Sequence, residues 1–273
     1  MIKIKYLKIV CLILIMLFTQ SFFLQLNAQD LITDRPNITA SAVTVPFHFV
    51  QIETGYQYNK NGLNSAEHFG TTLLRFGLTP GIELRFAGEY QSLKINPGIV
   101  ALNTGNNFSN PFQNRIQGLS GTMAGAKFQL IKEKNSEFNF AVLAQFLLPW
   151  GKKELVPNNI EPEIIFAFDK DITNGFNVAI NAGWHWDSQA KNSILFYSLS
   201  SDISLSDLLS IYAEYSGTYQ NINSANEFIN ILDGGFMFLI KANLQLDLYA
   251  GTNVITNELN WFWGTGISVR LPH

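Results

Sequence analysis

Residues 259–273 read LNWFWGTGISVRLPH, and the fold turns on how this stretch is arranged in space. Every second side chain from Trp261 gives Trp261, Trp263, Thr265, Ile267, Val269 and Leu271; between them lie Phe262, Gly264, Gly266, Ser268 and Arg270. A period of two belongs to a β-strand, whose side chains alternate between faces. One face is large and apolar. The other is mostly small and polar, so the two meet different surroundings. Alternation alone does not say which face meets water.

The other end of the chain narrows the choice. Residues 1–30, MIKIKYLKIVCLILIMLFTQSFFLQLNAQD, carry lysines at 3, 5 and 8, then an apolar run, then a small residue at 28. That is the order of a secretory signal peptide, with cleavage expected after Ala28 and Gln29 at the mature start. Thr19, Gln20, Ser21 and Gln25 interrupt the run, which argues against a permanent helical span. The single cysteine, Cys11, lies inside the run, so the mature chain crosses an oxidising compartment without mispaired disulfides. Without the three leader lysines, fifteen basic residues face twenty-one acidic ones, about six charges negative, which disfavours nucleic acid as a partner. Charged residues make up 14% of the chain, against about 25% in an ordinary soluble domain. No later stretch is apolar for the ~18 residues that a helical span needs.

Strand-like alternation fills the remainder. Twelve segments are expected near 47–58, 69–78, 81–92, 119–131, 137–149, 162–171, 175–186, 193–203, 208–219, 227–240, 243–253 and 260–271. Counts of ten or fourteen also fit the pattern. In one segment Phe176, Val178, Ile180, Ala182, Trp184 and Trp186 oppose Asn177, Ala179, Asn181, Gly183 and His185. The connections alternate too. Short ones carry turn residues: TPG at 79–81, KEKNS near 132–136, TNG at 173–175, LSD at 205–207 and KAN at 241–243. Longer ones lie at 59–68, 93–118, 150–161, 187–192, 220–226 and 254–259. An all-β transmembrane antiparallel barrel with short periplasmic turns and longer extracellular loops has this rhythm. The expected layout is a signal peptide at 1–28, a lead-in or plug at 29–46 and the barrel at 47–273.

Aromatic residues assign the faces. With alternate strands running up and down, Tyr56, Tyr58, Tyr90, Trp150, Trp184, Trp186, Tyr215, Tyr219, Trp261 and Trp263 all fall on the apolar face at the long-loop end. Trp and Tyr prefer the headgroup level of a bilayer, so a levelled ring of them is a girdle against outer-membrane lipid. A soluble barrel would turn its apolar face inward and show water many Lys and Glu residues; here the polar face is rich in Gly, Ser, Asn and Gln. The closing stretch then faces lipid through its tryptophans, and its place at the C-terminus suits recognition by the barrel-assembly machinery.

The inward face collects the charges: Glu53, Glu83, Glu89, Glu163, Asp169, Asp187, Glu214, Asp233 and Asp247, with Arg75, Arg85, Lys127 and Arg270. Charges are costly against lipid and acceptable in a wet or internally paired lumen. Two arrangements suit the list. One is a lumen held together by ion pairs and hydrogen bonds. The other is a conduction path whose acidic bias favours cations or neutral solutes over anions. His185 and Asp187, two apart, have the spacing of a weak metal or base pair. No serine nucleophile motif or phosphate loop accompanies them, so no catalytic residue, metal or cofactor is expected. In QDLITDRPNITASAVTVP, residues 29–46, Asp34 and Arg35 stand out. They belong either to a plug that enters the lumen, with Arg35 meeting inward acids, or to a periplasmic lead-in with a capped turn.

Four stretches together resemble a known family: DRPNITASAVTVPFHFVQIETGYQY (34–58), LLRFGLTPGIELRFAGEY (73–90), GLSGTMAGAKFQLI (118–131) and WFWGTGISVRLP (261–272). The chain is similar to bacterial outer-membrane transporters, of Bacteroidetes type, associated with the meta-pathway of phenol degradation. The resemblance implies an outer-membrane barrel of a Gram-negative bacterium that passes small molecules, hydrophobic or aromatic ones included. It picks out Asp34, Arg35, Pro36, Glu53, Arg75, Glu83, Arg85, Lys127 and Arg270, none with a catalytic role. The expected function is a passive channel or facilitator. The alternative is a closed barrel with a structural or surface-interaction role.

Overall fold

The computed structural model describes residues 31–96, 115–132, 137–222, 225–254 and 260–272. The signal peptide expected at 1–28, most of the 93–118 connection and most of the KEKNS turn lie outside them. Twelve strands follow one another: β1 (Phe49–Asn61), β2 (Asn64–Thr79), β3 (Ile82–Lys94), β4 (Arg115–Ile131), β5 (Asn139–Leu147), β6 (Glu161–Thr173), β7 (Phe176–Asp187), β8 (Asn192–Ser204), β9 (Leu209–Ile222), β10 (Ala225–Lys241), β11 (Leu244–Asn253) and β12 (Asn260–Pro272). Each pairs antiparallel with its sequence neighbours, and β12 pairs with β1, closing a barrel. Closure leaves no strand edge with unpaired backbone groups, which a bilayer would not tolerate.

Polarity is inverted relative to a water-soluble fold. Leu195, Leu199, Phe236, Leu246 and Leu248 are exposed on the outside, while Glu53, Glu83 and Lys127 are wholly buried inside. Trp261, Trp263 and Ile267 point out and Ser268 and Arg270 point in. The apolar face of the closing stretch therefore belongs to lipid. Among the described residues no helix is long and apolar enough to cross a membrane; the strands make the crossing.

Two glycines reset the alternation. Gly70 in β2 and Gly121 in β4 have positive φ, 57° and 58°, a region L side chains rarely occupy. The register shifts beside each, between Phe69 and Thr72 on one side of β3 and opposite Ala87–Glu89 on the other. These are β-bulges. They bring His68 and Ser120 inward, where both reach Glu89, at 2.8 and 3.1 Å.

The strands also run further than alternation suggests. The loop expected at 59–68 is a tight hairpin: Asn61 pairs with Asn64, and Gly62 turns the chain at φ 55°. Asp187 likewise pairs with Asn192 across the connection expected at 187–192. Beyond the bilayer both faces of a strand meet water, so the hydropathy signal fades while the backbone ladder continues.

Candidate functional site

The chain before β1 does not lie outside the barrel. Residues 31–46 run around the inside of its lower half, at the end that holds the TPG and KAN turns, without regular secondary structure. A buried backbone N–H must find an acceptor, and the wall supplies one residue after another. Asp34 and Arg35 donate to Glu53 (3.1 and 3.0 Å), Ile38 and Thr39 to Glu214 (2.7 and 2.6 Å). Ala40 donates to Asn181 (2.8 Å), Ala42 to Asp169 (2.7 Å) and Val45 to Glu83 (2.7 Å). The Thr39 hydroxyl adds a further bond to Glu214. Where the wall turns apolar, the segment does too: Ala40 and Ala42 pack on Ala141 and Leu143 of β5 and on Ile165 and Ala167 of β6.

Asp34 sits in a buried ionic cluster. Arg85 Nη1 is 2.6 Å from it, Lys127 Nζ 3.3 Å and Arg75 Nη1 3.5 Å. Arg75 also grips Glu83 through Nε and Nη2 (2.8 and 3.0 Å) and Glu53 through Nη1 (2.9 Å). The wall alone brings three cations and two carboxylates to this point, and Asp34 is the third anion that balances them. Burial by itself would raise the Asp34 carboxyl. The charges of Arg75, Lys127 and Arg85 outweigh that and hold it well below the usual carboxylate range.

Arg35 completes a second match. Its Nε and Nη2 donate to Asp247 of β11 at 3.2 Å each, and Nη1 donates to Thr71 at 3.0 Å. Its guanidinium carbon lies 5.7 Å from the centre of the Tyr249 ring, within cation–π range. The slot exists because Gly55 of β1 and Gly266 of β12, paired with each other, have no side chains: a Cβ on either would overlap the guanidinium. Gly266 of the closing stretch thus makes room for Arg35, and Gly264 makes room for the Tyr249 ring. Arg270, further down β12, instead donates to Gln51 at 3.0 Å.

The upper half is arranged differently. Gln145, Glu163 and His185 lie side by side on β5, β6 and β7. His185 Nε2 is 3.1 Å from Glu161, a residue expected to lie in a loop, and its Nδ1 is 3.8 Å from Glu163. Asp187 does not join it; it caps the β7–β8 turn, accepting from the backbone of Gln189 and Ala190 (2.7 and 2.9 Å). Asp233 accepts from the Tyr212 hydroxyl at 2.9 Å. A cavity of about 380 Å³ opens above Ile38, lined in part by Glu163, His185, Phe196 and Ile231. Among the described residues no group of three His, Cys, Asp or Glu side chains is placed to hold a metal.

On the outer face, Tyr56 packs against Trp263 and Tyr58 against Trp261, ring centres 5.5 and 5.4 Å apart. Tyr90, Trp150, Trp186 and Tyr215 are exposed, and Trp184 and Tyr219 are partly so. Alternation did not mark Asn230. It faces outward beneath the Tyr197 and Tyr215 hydroxyls, which donate to it at 2.6 and 2.9 Å.

Residues 33–271 match the family described as "Putative MetA-pathway of phenol degradation". The chain belongs to this family. The match starts one residue before Asp34, so the lumen segment is part of the family pattern together with the barrel. Among solved structures, an outer membrane channel from Pseudomonas putida F1 has a TM-score of 0.59 at 12% identity, covering 88% of this chain and 100% of that one. The NanC porin has a TM-score of 0.56 at 8% identity, covering 80% of this chain and 98% of that one. Both likenesses are to an outer-membrane barrel fold. No curated protein matches the sequence.

Proposed function

We propose that the chain is a passive route for small molecules across the outer membrane, whose lumen is closed from below by its own residues 31–46. The observation that carries this reading is the choice of partners inside the barrel. In a barrel whose interior serves only as a core, wall side chains would satisfy one another. Here Glu53, Glu83, Asp169, Glu214 and Asp247 all spend hydrogen bonds on a separate segment. Such a stopper is held by side-chain contacts and can be released while the strand ladder stays intact.

The remaining features fit this reading. Residues 1–28 act as the export signal and are removed after Ala28, and 47–273 form the barrel. The outward aromatics at the long-loop end anchor it at the lipid interface. β12 is the strand that the assembly machinery reads. The acids of the lower lumen serve chiefly as acceptors for the stopper, so their number does not measure ion selectivity. The family's description supports a small, partly apolar solute, and transport needs no energy source beyond the concentration gradient.

Conductance of the refolded mature chain in planar bilayers tests the proposal, compared with a variant carrying both Asp34→Ala and Arg35→Ala. The expected result is little steady current in the parent and clear steps in the variant. Silence in both, with folding shown by heat-modifiable gel mobility and no uptake of small neutral solutes into liposomes, sinks the route and favours a closed barrel.

A further inference from the structure

The cavity above the stopper has two unlike walls. Ile194 and Phe196 of β8 and Ile229 and Ile231 of β10 supply its apolar side, with the hydroxyl residues Ser216 and Thr218 of β9 between them and Ile38 of the stopper also lining the space. Glu163 and His185 stand on the polar side. The lumen's strong cations are spent lower down: Arg75, Arg85 and Lys127 on the Asp34 cluster and Arg35 on Asp247. Among the described residues the ion-pair partner of Glu161 and Glu163 is His185.

The hydrogen bonds sharpen the contrast. A carboxylate oxygen of Glu161 lies 3.1 Å from His185 Nε2. Nδ1 is buried and makes no hydrogen bond, with Glu163 3.8 Å away. The Gln145 amide donates to Glu163 at 2.5 Å, which leaves its carbonyl Oε1 as a buried acceptor without a hydrogen-bond partner. Around Glu163, then, stand a second carboxylate, Glu161, and one buried acceptor that lacks a donor, Gln145 Oε1. That wall suits a group rich in N–H donors and positive charge, and the opposite wall suits carbon. A volume of about 380 Å³ holds a molecule of modest size.

We propose that this cavity binds small organic cations, with a primary ammonium directed at Glu163 and a compact aromatic or branched body against Phe196 and Ile231. The proposal rests on the lumen being a solute route and names the solutes that the route selects. Glu163 is the specificity-determining residue. Phe196 also packs against the buried cluster around Ala40 and Leu143, so its ring is supported from behind.

The test is calorimetric titration of the refolded mature chain in detergent at neutral pH with three near-isosteric probes: 2-phenylethylammonium, 2-phenylethanol and 3-phenylpropanoate. The ammonium is expected to bind roughly tenfold tighter than the alcohol, and the carboxylate not measurably, as one partly buried charge pair allows. Glu163→Gln should bring the ammonium down to the level of the alcohol and leave the alcohol unchanged. Ile229→Trp, which fills the space, should remove binding of all probes; if it does not fold, competition decides, since the alcohol must displace the ammonium from a single shared site. Equal isotherms for the three probes, a preference that survives Glu163→Gln, or failure of the probes to compete each overturn the site. Binding is read apart from current: a silent barrel that binds the ammonium refutes the route and keeps the site, and a conducting barrel without the preference does the reverse.

Discussion

The two halves of the lumen use the same kinds of residue to opposite ends. In the lower half, around Asp34, carboxylates and cations are matched and wholly buried, and a segment of the chain fills the space between them. In the upper half, around Glu163 and His185, the carboxylates outnumber nearby cations and a cavity remains. A charged lumen is therefore not one environment. Where each charge has a partner across the lumen, the barrel is closed and rigid. Where partners are missing, room is left for a solute. The difference between the halves comes from the stopper, since Asp34 and Arg35 meet only the lower wall.

The largest effect should follow from breaking the lower match at its centre. Asp34→Ala leaves Arg75, Arg85 and Lys127 facing two carboxylates, and removing one member of a buried ion cluster costs about 3–5 kcal/mol. The cost falls on docking of 31–46, not on the strand ladder. Limited proteolysis should show cleavage within 31–46 while the heat-modifiable band is kept; an uncut segment would show that the cluster does not hold the stopper. Gly266→Val comes next. It fills the Arg35 slot from β12 and should cost roughly 1–3 kcal/mol by overpacking. Hydrogen exchange should rise at residues 33–37, with little change in the ladder of the neighbouring strands. Glu214→Gln keeps one acceptor oxygen for the donors of Ile38 and Thr39, so a loss of about 1–2 kcal/mol in docking is expected, read by the same exchange experiment.

Acid should separate the two halves without mutation. The Asp34 carboxyl is held below its ordinary value of 3.8, so its contribution is present above that value. It is lost only as the pH falls through the depressed one. The contacts of Asp34 should therefore persist at pH 5, and their loss should need strongly acidic solution; loss of hydrogen-exchange protection at residues 34 and 35 on going from pH 7 to pH 5 would contradict the cluster as drawn. The smallest stability effect belongs to Glu163→Gln. With no Arg or Lys partner among the described residues, the change should shift thermal stability by less than about 0.5 kcal/mol, even as it removes the preference for an ammonium probe. A large loss of stability there would mean that the upper half is as tightly matched as the lower.

Much of this was legible along the chain. A period of two in LNWFWGTGISVRLPH, repeated twelve times and punctuated by short turns, gives an antiparallel barrel because strand side chains must alternate. Aromatics gathered at one end of the apolar face set the inside and outside. The inward charges could be named for the same reason. Their partners could not. Arg75 meets Glu53 across β1 and β2, yet Asp34 meets Lys127 from 93 positions away. Glu161 was read as loop although it is the nearest carboxylate to His185. His68 reached Glu89 only through a bulge that alternation does not announce.

The sequence by itself determined the alternation of the strands, the rhythm of their turns and the polarity of the barrel, because these depend on local periodicity and on which solvent a side chain prefers. Only the tertiary structure decided where Asp34 and Arg35 go, and with them which half of the lumen is filled. Closing a barrel sets residues from both chain ends side by side, as Gly55 with Gly266. The slot left between them has a shape and a charge that no single strand contains.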